Sequence, residues 1–234
     1  MGTRFKGLLA DRPKGFIQID DRNLIEHSIQ KLIRAGVKHI IIGTGYSNHY
    51  YDNLAKQYEY VRCIKNEDYE TTGSMFTLSC TRELLEEDFL LLESDLLYDC
   101  SGLEILIKDA HRDVILASGL TFSGDEVFIE IDADANLFNL SKNRDELNKV
   151  YGELTGLSKI SFQLFQKLID FCEKNKEFSQ NAHYEECLQA SGEPIFVKKE
   201  EAFLWCEIDN EDHLRRAVEV VYPKIKKRER LCKK

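Results

Sequence analysis

The amino-acid sequence predicts an α/β fold in which a mostly parallel, mixed sheet is flanked by helices. Two features carry that expectation. Segments of helical periodicity are followed at once by short apolar runs, and those runs are apolar at consecutive positions, as strands buried on both faces are. Over 24–35 the residues Leu24, Ile25, Ile29, Leu32 and Ile33 recur at helical spacing, and Gly36 stands where a left-handed cap ends a helix. Residues 37–42 then read as a buried strand opening into Gly43-Thr44-Gly45. The pair repeats as a helix over 48–57 with a strand over 60–64, and as a helix over 74–86 with a strand over 89–93. Shorter β segments over 127–132, 137–141 and 153–160, with helices over 162–174 and 183–189, read as a smaller elaboration that completes a pocket over the sheet. A last helix over 210–221 follows Asp209, with Asp212 three positions on, in a capping-box-like arrangement.

Composition narrows the class. The chain has 234 residues, 43% hydrophobic and 31% charged, the profile of a globular protein. One domain over 1–222 is favoured over two, because no repeat or low-complexity stretch divides it and only three prolines occur. No apolar run approaches the roughly 18 residues of a membrane helix, and no secretory leader is expected. Seven cysteines without a C-x-x-C spacing point neither to a disulfide framework nor to a zinc site, so a cytoplasmic location is expected. The net charge of −9 argues against nucleic acid as a partner. Residues 223–234 are strongly basic and read as a solvated tail or the start of a linker. Oligomeric state is not legible.

In open α/β sheets ligands bind beyond the carboxyl ends of the strands, so the loops after strands are the places to inspect. Gly2-Thr3-Arg4-Phe5-Lys6-Gly7 and Pro13-Lys14-Gly15 combine small turns with cations. Their N–H groups, with Arg4 and Lys14, can hold a polyphosphate, although such segments are commonly plain solvated loops. Glu93-Ser94-Asp95 ends an apolar strand with acids that suit a hard cation such as Mg²⁺, or merely form a turn. Glu207-Ile208-Asp209 ends a second strand-like piece, where Asp209 serves a cation or caps the next helix.

Taken together, these pieces resemble the small nucleotidyltransferases that join a nucleotide to a phosphorylated or phosphonylated alcohol or amine. GTRFKG and PKG resemble the second half of that group's phosphate-binding signature, LIEHSIQKLIRAGVKHIIIGTGY its first helix, strand and turn, and ESD and EID its two metal-binding positions. Within the group, KNEDYETTGSMFTL, FLLLESDLLYD, ILASGLTFSGDEVFIEID, LSKNRDEL, YGELTGLSKIS and WCEIDNEDHL are similar to the 2-aminoethylphosphonate cytidylyltransferases. The resemblance spans about residues 2–222 and implies a Rossmann-like nucleotidyltransferase fold.

The activity it implies is transfer of CMP from CTP to 2-aminoethylphosphonate, releasing pyrophosphate, in phosphonate biosynthesis. Such chemistry asks for positioning and electrostatic stabilisation, with no nucleophilic side chain. Asp95 and Asp209 would anchor Mg²⁺. Lys14 would meet the α-phosphate and Arg4 the departing pyrophosphate, with Gly2 and Thr3 in the phosphate turn. Thr72, Gly73 and Ser74 would face the cytosine edge, and Lys142 the phosphonate, unless it is a surface lysine. Glu153 and Glu185, beside Tyr184, suit a primary ammonium, which has three donors to satisfy, whereas quaternary choline is held by aromatic cages; both acids read equally as surface groups. The alternatives are a phosphocholine or phosphoethanolamine cytidylyltransferase and a non-catalytic nucleotide-binding regulator.

One departure stands out. The group's signature opens with an apolar strand and a small turn ahead of Gly-x-Arg, and the chain given starts inside that motif. Burial of four or five aliphatic side chains at about 1.5–3 kcal/mol each amounts to roughly 8 kcal/mol or more, comparable to the whole stability of a domain. The expectation is therefore that the natural protein carries about ten to fifteen further residues ahead of Met1.

Overall fold

The computed structural model describes residues 12–231. After a 3-10 turn at Lys14–Phe16 come the short strands β1 (Gln18–Ile19) and β2 (Arg22–Asn23), then α1 (Leu24–Arg34), β3 (Ile40–Thr44), α2 (His49–Ala55), β4 (Val61–Lys65), α3 (Ser74–Ser79), β5 (Phe89–Leu92) and β6 (Leu96–Tyr98). The chain continues through α4 (Ser101–Lys108), β7 (Val114–Ser118), β8 (Phe128–Ile131), β9 (Leu137–Ser141), β10 (Gly152–Ile160), α5 (Phe162–Lys174), α6 (Lys176–Ser179) and α7 (Tyr184–Ser191). It ends with β11 (Phe196–Glu200), β12 (Trp205–Glu207), α8 (Glu211–Arg216), a π-helical turn at Ala217–Val221 and α9 (Tyr222–Leu231).

The central sheet is mixed. Its order is β11-β7-β10-β8-β9, with β5 also on β10. β11 runs parallel to β7, and β10 is antiparallel to β5, β7 and β8. β3 and β4 form a separate parallel pair, and β6 and β12 an antiparallel one. Val114, Ile115, Leu116 and Ala117 of β7 are all fully buried because helices cover both faces. One core joins α1, α2 and α4 to β3, β6 and β7, and a second joins α5 and α7 to β7, β8, β10 and β11. A third gathers Ile17, Ile19 and Leu97 against Cys206, Ile208, Val221 and Ile225.

The elements differ from the sequence expectation for local reasons. α1 starts on a capping box, Asn23 accepting from the Glu26 N–H and Glu26 from the Asn23 N–H. It ends with Gly36 at φ +88° and the Val37 N–H donating to the Leu32 carbonyl, so Val37 belongs to the helix terminus and the strand begins only at Ile40. α3 stops at Ser79, beyond which Thr81 turns its hydroxyl back onto the Leu78 carbonyl. The last helix is capped by Asn210, which accepts from the His213 N–H, and not by Asp209. The basic segment after 222 is not a solvated tail as far as Leu231. α9 buries Ile225, pairs Lys226 with Asp20 at 2.7 Å, and pairs Arg228 with Asp99 at 2.6 Å. Finally, the apolar run Phe89–Leu92 forms a strand, but each of its residues is only half-buried.

Candidate active site

β6 and β12 bring together acids distant in sequence. Leu96 pairs with Glu207 in their antiparallel register, and the Ile208 N–H donates to the Asp95 carbonyl at 3.2 Å. Asp95 and Asp209 therefore leave neighbouring strands at the same edge. Lys14, held at the start of the 3-10 turn, donates to Asp95 Oδ2 at 3.1 Å and also to Asp209 Oδ1. Burial alone would lower the Lys14 pKa, but the charges of the two aspartates outweigh it and raise it. For Asp209 burial is likewise overcome, by Lys14, and its carboxyl is held below the usual range.

Behind this triad lies a second layer of acid. Oxygens of Glu93, Asp95 and Glu207 lie within 4.8 Å of one another. Burial, then the charges of Asp95 and Glu185, push the Glu93 carboxyl up to about 8. Burial, then Asp95 and Glu93, push Glu207 up to about 9. Tyr184 donates its hydroxyl to Glu93 at 2.8 Å. A set of carboxylate oxygens is the donor chemistry a hard divalent cation selects, so the residues fit Mg²⁺.

The sequence reasoning selected the aspartates and passed over Glu93 and Glu207. The signal was present, because both acidic pieces read Glu-x-Asp and extended chain puts alternate side chains on one face.

The triad opens into a cavity of about 1530 Å³ that also meets Ser74, Lys142, Glu153, Tyr184 and Glu185. Ser74 accepts from the Tyr184 N–H at 3.0 Å and lies 3.3 Å from His183 Nδ1, which ties the start of α3 to the start of α7. Thr72 and Gly73 stand outside the cavity wall among the described residues. Thr72 accepts from Asn66 and donates to the Asp68 carbonyl. A Cβ on Gly73 would stand 2.1 Å from the Ala182 carbonyl oxygen. Lys142 pairs with Asp125 at 2.9 Å. Glu153 is buried, and its two oxygens accept the Thr121 N–H and hydroxyl at 2.7 and 2.9 Å, so it clamps the loop after β7. Arg216, also missed in the sequence, holds the same loop by donating to the Thr121 carbonyl. Gly2, Thr3 and Arg4 lie outside the described residues.

No family model matches the chain. Its backbone superposes on the inositol-1-phosphate CTP transferase from T. maritima with a TM-score of 0.80, at 17% identity over 96% of this chain and 92% of that one. The chain shares that Rossmann-like fold. Curated sequence relatives include cytidylyltransferases. The chain is 24% identical over 233 residues to CTP:phosphoglutamine cytidylyltransferase of Campylobacter jejuni, covering 89% of this chain and 92% of the relative. It is 30% identical over 91 residues to choline-phosphate cytidylyltransferase of Streptococcus pneumoniae, covering 39% of each. No helix among the described residues is long and apolar enough to cross a membrane.

Proposed function

We propose that the chain is a cytidylyltransferase that transfers CMP from CTP to 2-aminoethylphosphonate. A phosphonate oxygen attacks the α-phosphorus, the bond to the bridging oxygen breaks, and pyrophosphate leaves. The observation that carries this reading is Lys14 shared between Asp95 and Asp209 at the mouth of an acid-lined cavity. Asp95 and Asp209 would hold Mg²⁺, with Glu93 and Glu207 behind them. When bound, the cation draws the phosphate oxygens together and lowers their charge. Lys14, released from the carboxylates, turns to the α-phosphate where negative charge develops. Arg4, with Gly2 and Thr3, takes the departing pyrophosphate. The start of α3 at Ser74 faces the cytosine, with Thr72 and Gly73 holding its approach.

The acceptor reading rests on the chemistry of the wall. Glu93, Glu185 and Glu207 supply acceptors for an ammonium, and Lys142 a cation for the phosphonate. The aromatic side chains that line the cavity among the described residues offer it little surface: Tyr184 and Trp205 are buried, and Phe89 makes an edge contact with Phe165. Among the described residues that leaves little aromatic surface for a quaternary cage. Phosphocholine is the second reading, favoured by the similarity to the choline-phosphate enzyme. Pyrophosphate release with CTP, Mg²⁺ and each acceptor separates them. Release with 2-aminoethylphosphonate well above phosphocholine is expected; the reverse order assigns the second reading, and CTP binding without release from any acceptor assigns a regulator.

A further inference from the structure

The loop over 119–127 joins β7 to β8 and forms part of the wall of the acidic cavity, through Thr121, Ser123, Asp125 and Val127. Its conformation is unfavourable taken alone. Phe122 sits at φ +55°, a left-handed backbone that bulky side chains rarely adopt, and the residue is 84% exposed. Further along the same loop, Asp125 reaches the Asp209 carboxyl, so like charges crowd where the loop meets the cavity. Such a loop keeps its shape only if its surroundings hold it.

Three side chains do so. Glu153 on β10 is buried, and its two oxygens accept the N–H and the hydroxyl of Thr121. Arg216 donates to the Thr121 carbonyl at 3.1 Å, so every polar group of Thr121 is engaged. His213, also buried, has Nε2 3.4 Å from the Ser123 carbonyl, while its Nδ1 accepts from the Asp209 N–H at 3.4 Å. His213 and Arg216 stand three positions apart on α8, hence on one face of the helix that follows Asp209. Tied on both sides of Phe122, the loop delivers Asp125 to Lys142 at 2.9 Å.

We propose that Glu153, with Arg216 and His213, is a positioning residue for the acceptor: it fixes this loop and, through Asp125, sets where the Lys142 ammonium stands to meet the phosphonate. The inference rests on the reading of Lys142 given above. It also takes Glu153 out of contact with the acceptor's own ammonium, because both of its oxygens already have donors in Thr121. Supporting hydrogen bonds of this kind decide how tightly a binding group is held in its productive place.

The test uses the full chain saturated with Mg²⁺ and α,β-methylene-CTP, in which a carbon replaces the bridging oxygen so that no CMP is transferred. Binding of 2-aminoethylphosphonate is read by isothermal titration calorimetry, and amide hydrogen exchange is read over 119–127 without ligand. Thr121→Val, which keeps the shape and loses the hydroxyl, is expected to weaken acceptor binding about tenfold and to speed exchange in the loop by about fivefold or more. Thr121→Ser restores both, and binding of the CTP analogue stays within about twofold of the parent in either variant. Glu153→Gln, which keeps a single carboxamide oxygen to accept from Thr121, moves both readouts in the same direction as Thr121→Val. Weaker binding without faster exchange assigns Thr121 or Glu153 to direct contact with the acceptor, and faster exchange without weaker binding makes the clamp merely structural; either result overturns the proposal. Loss in Glu153→Gln with Thr121→Val unchanged overturns it too, and returns Glu153 to the ammonium. A parent chain that binds phosphocholine and not 2-aminoethylphosphonate overturns the acceptor reading alone, and the same comparison is then made with phosphocholine; a parent chain that binds neither overturns both.

Discussion

Replacing Lys14 by methionine isolates the electrostatics of the site. The side chain keeps its length and apolar stem, so packing changes little, but two partly buried carboxylates lose their shared cation. Lys14 and Asp95 are 3.1 Å apart, and the three side chains are only 23%, 16% and 13% exposed. At an effective dielectric constant near 20 that attraction is about 5 kcal/mol before desolvation is subtracted. Both acids reach one ammonium, so their oxygens are no more than roughly 6 Å apart, and their repulsion once it is gone is about 3 kcal/mol on the same scale. Partial proton uptake relieves some of this. Lys14→Met is therefore expected to lose about 2–3 kcal/mol at pH 7.5, a fall in Tm of about 5–10 °C for a chain of this size.

The sign of the pH dependence makes the prediction specific. In the parent protein the Asp209 pKa is depressed, so its contribution is present above the unfolded value and is lost as pH falls through the folded one. In Lys14→Met the neighbouring Asp95 raises the Asp209 pKa instead, which destabilises at neutral pH and is relieved on acidification. The two proteins thus converge in stability as pH falls below about 4. Urea denaturation of both between pH 3.5 and 8 measures this, with Lys14→Met/Asp209→Asn as the control that restores stability at pH 7.5. A deficit that is the same at pH 4 and pH 8, or that the second substitution fails to recover, refutes the electrostatic account. Turnover in Lys14→Met falls by about 10²–10³, the effect of removing one preorganised donor to developing charge.

Asp209→Asn should cut turnover at least about a hundredfold, from loss of a metal ligand, with the far-ultraviolet circular dichroism unchanged because Asn210 caps α8; near-normal turnover would remove Asp209 from the metal site. In metal-free protein, Glu93 and Glu207 have pKa values of about 8 and about 9, above the ordinary 4.5. The folded state therefore binds more protons, and the pair's contribution to stability declines from about pH 4.5 to pH 9. Glu207→Gln should flatten that slope in urea melts. Tyr184→Phe leaves half-buried Glu93 without its phenol donor, at a cost of about 1–2 kcal/mol by chemical denaturation. Gly73→Ala meets backbone at 2.1 Å, so a loss of about 3 kcal/mol or more is expected, and an unchanged Tm would show that the α3–α7 junction yields.

Most elements were legible because their periodicity is local. The apolar spacing of α1, the β-branched run of β3 and the span of α5 each follow from residues adjacent in sequence. What was not legible depended on partners far along the chain. Asp209 looked like a helix cap until Asn210, one residue on, was seen to take the His213 N–H. The basic residues after 222 looked solvated because Asp20 and Asp99, their partners, lie more than a hundred positions away. Glu153 looked like a free acid for an ammonium, and only the fold shows Thr121 on both of its oxygens. Glu93 was hidden in a different way. Its neighbour Asp95 carried the resemblance, while the feature that distinguishes Glu93, the hydroxyl it accepts from Tyr184, is tertiary.

Lys14 is held differently at its backbone and at its ammonium, and that difference bears on the chemistry. Lys14 is fixed by contacts on its own side of the cavity: Gly15 packs against the Tyr51 hydroxyl and the Ser94 carbonyl, and Phe16 lies against the rings of Tyr50 and Tyr51. Its ammonium, by contrast, is held among the described residues by Asp95 and Asp209, the carboxylates that under the proposed function it leaves when nucleotide and metal arrive.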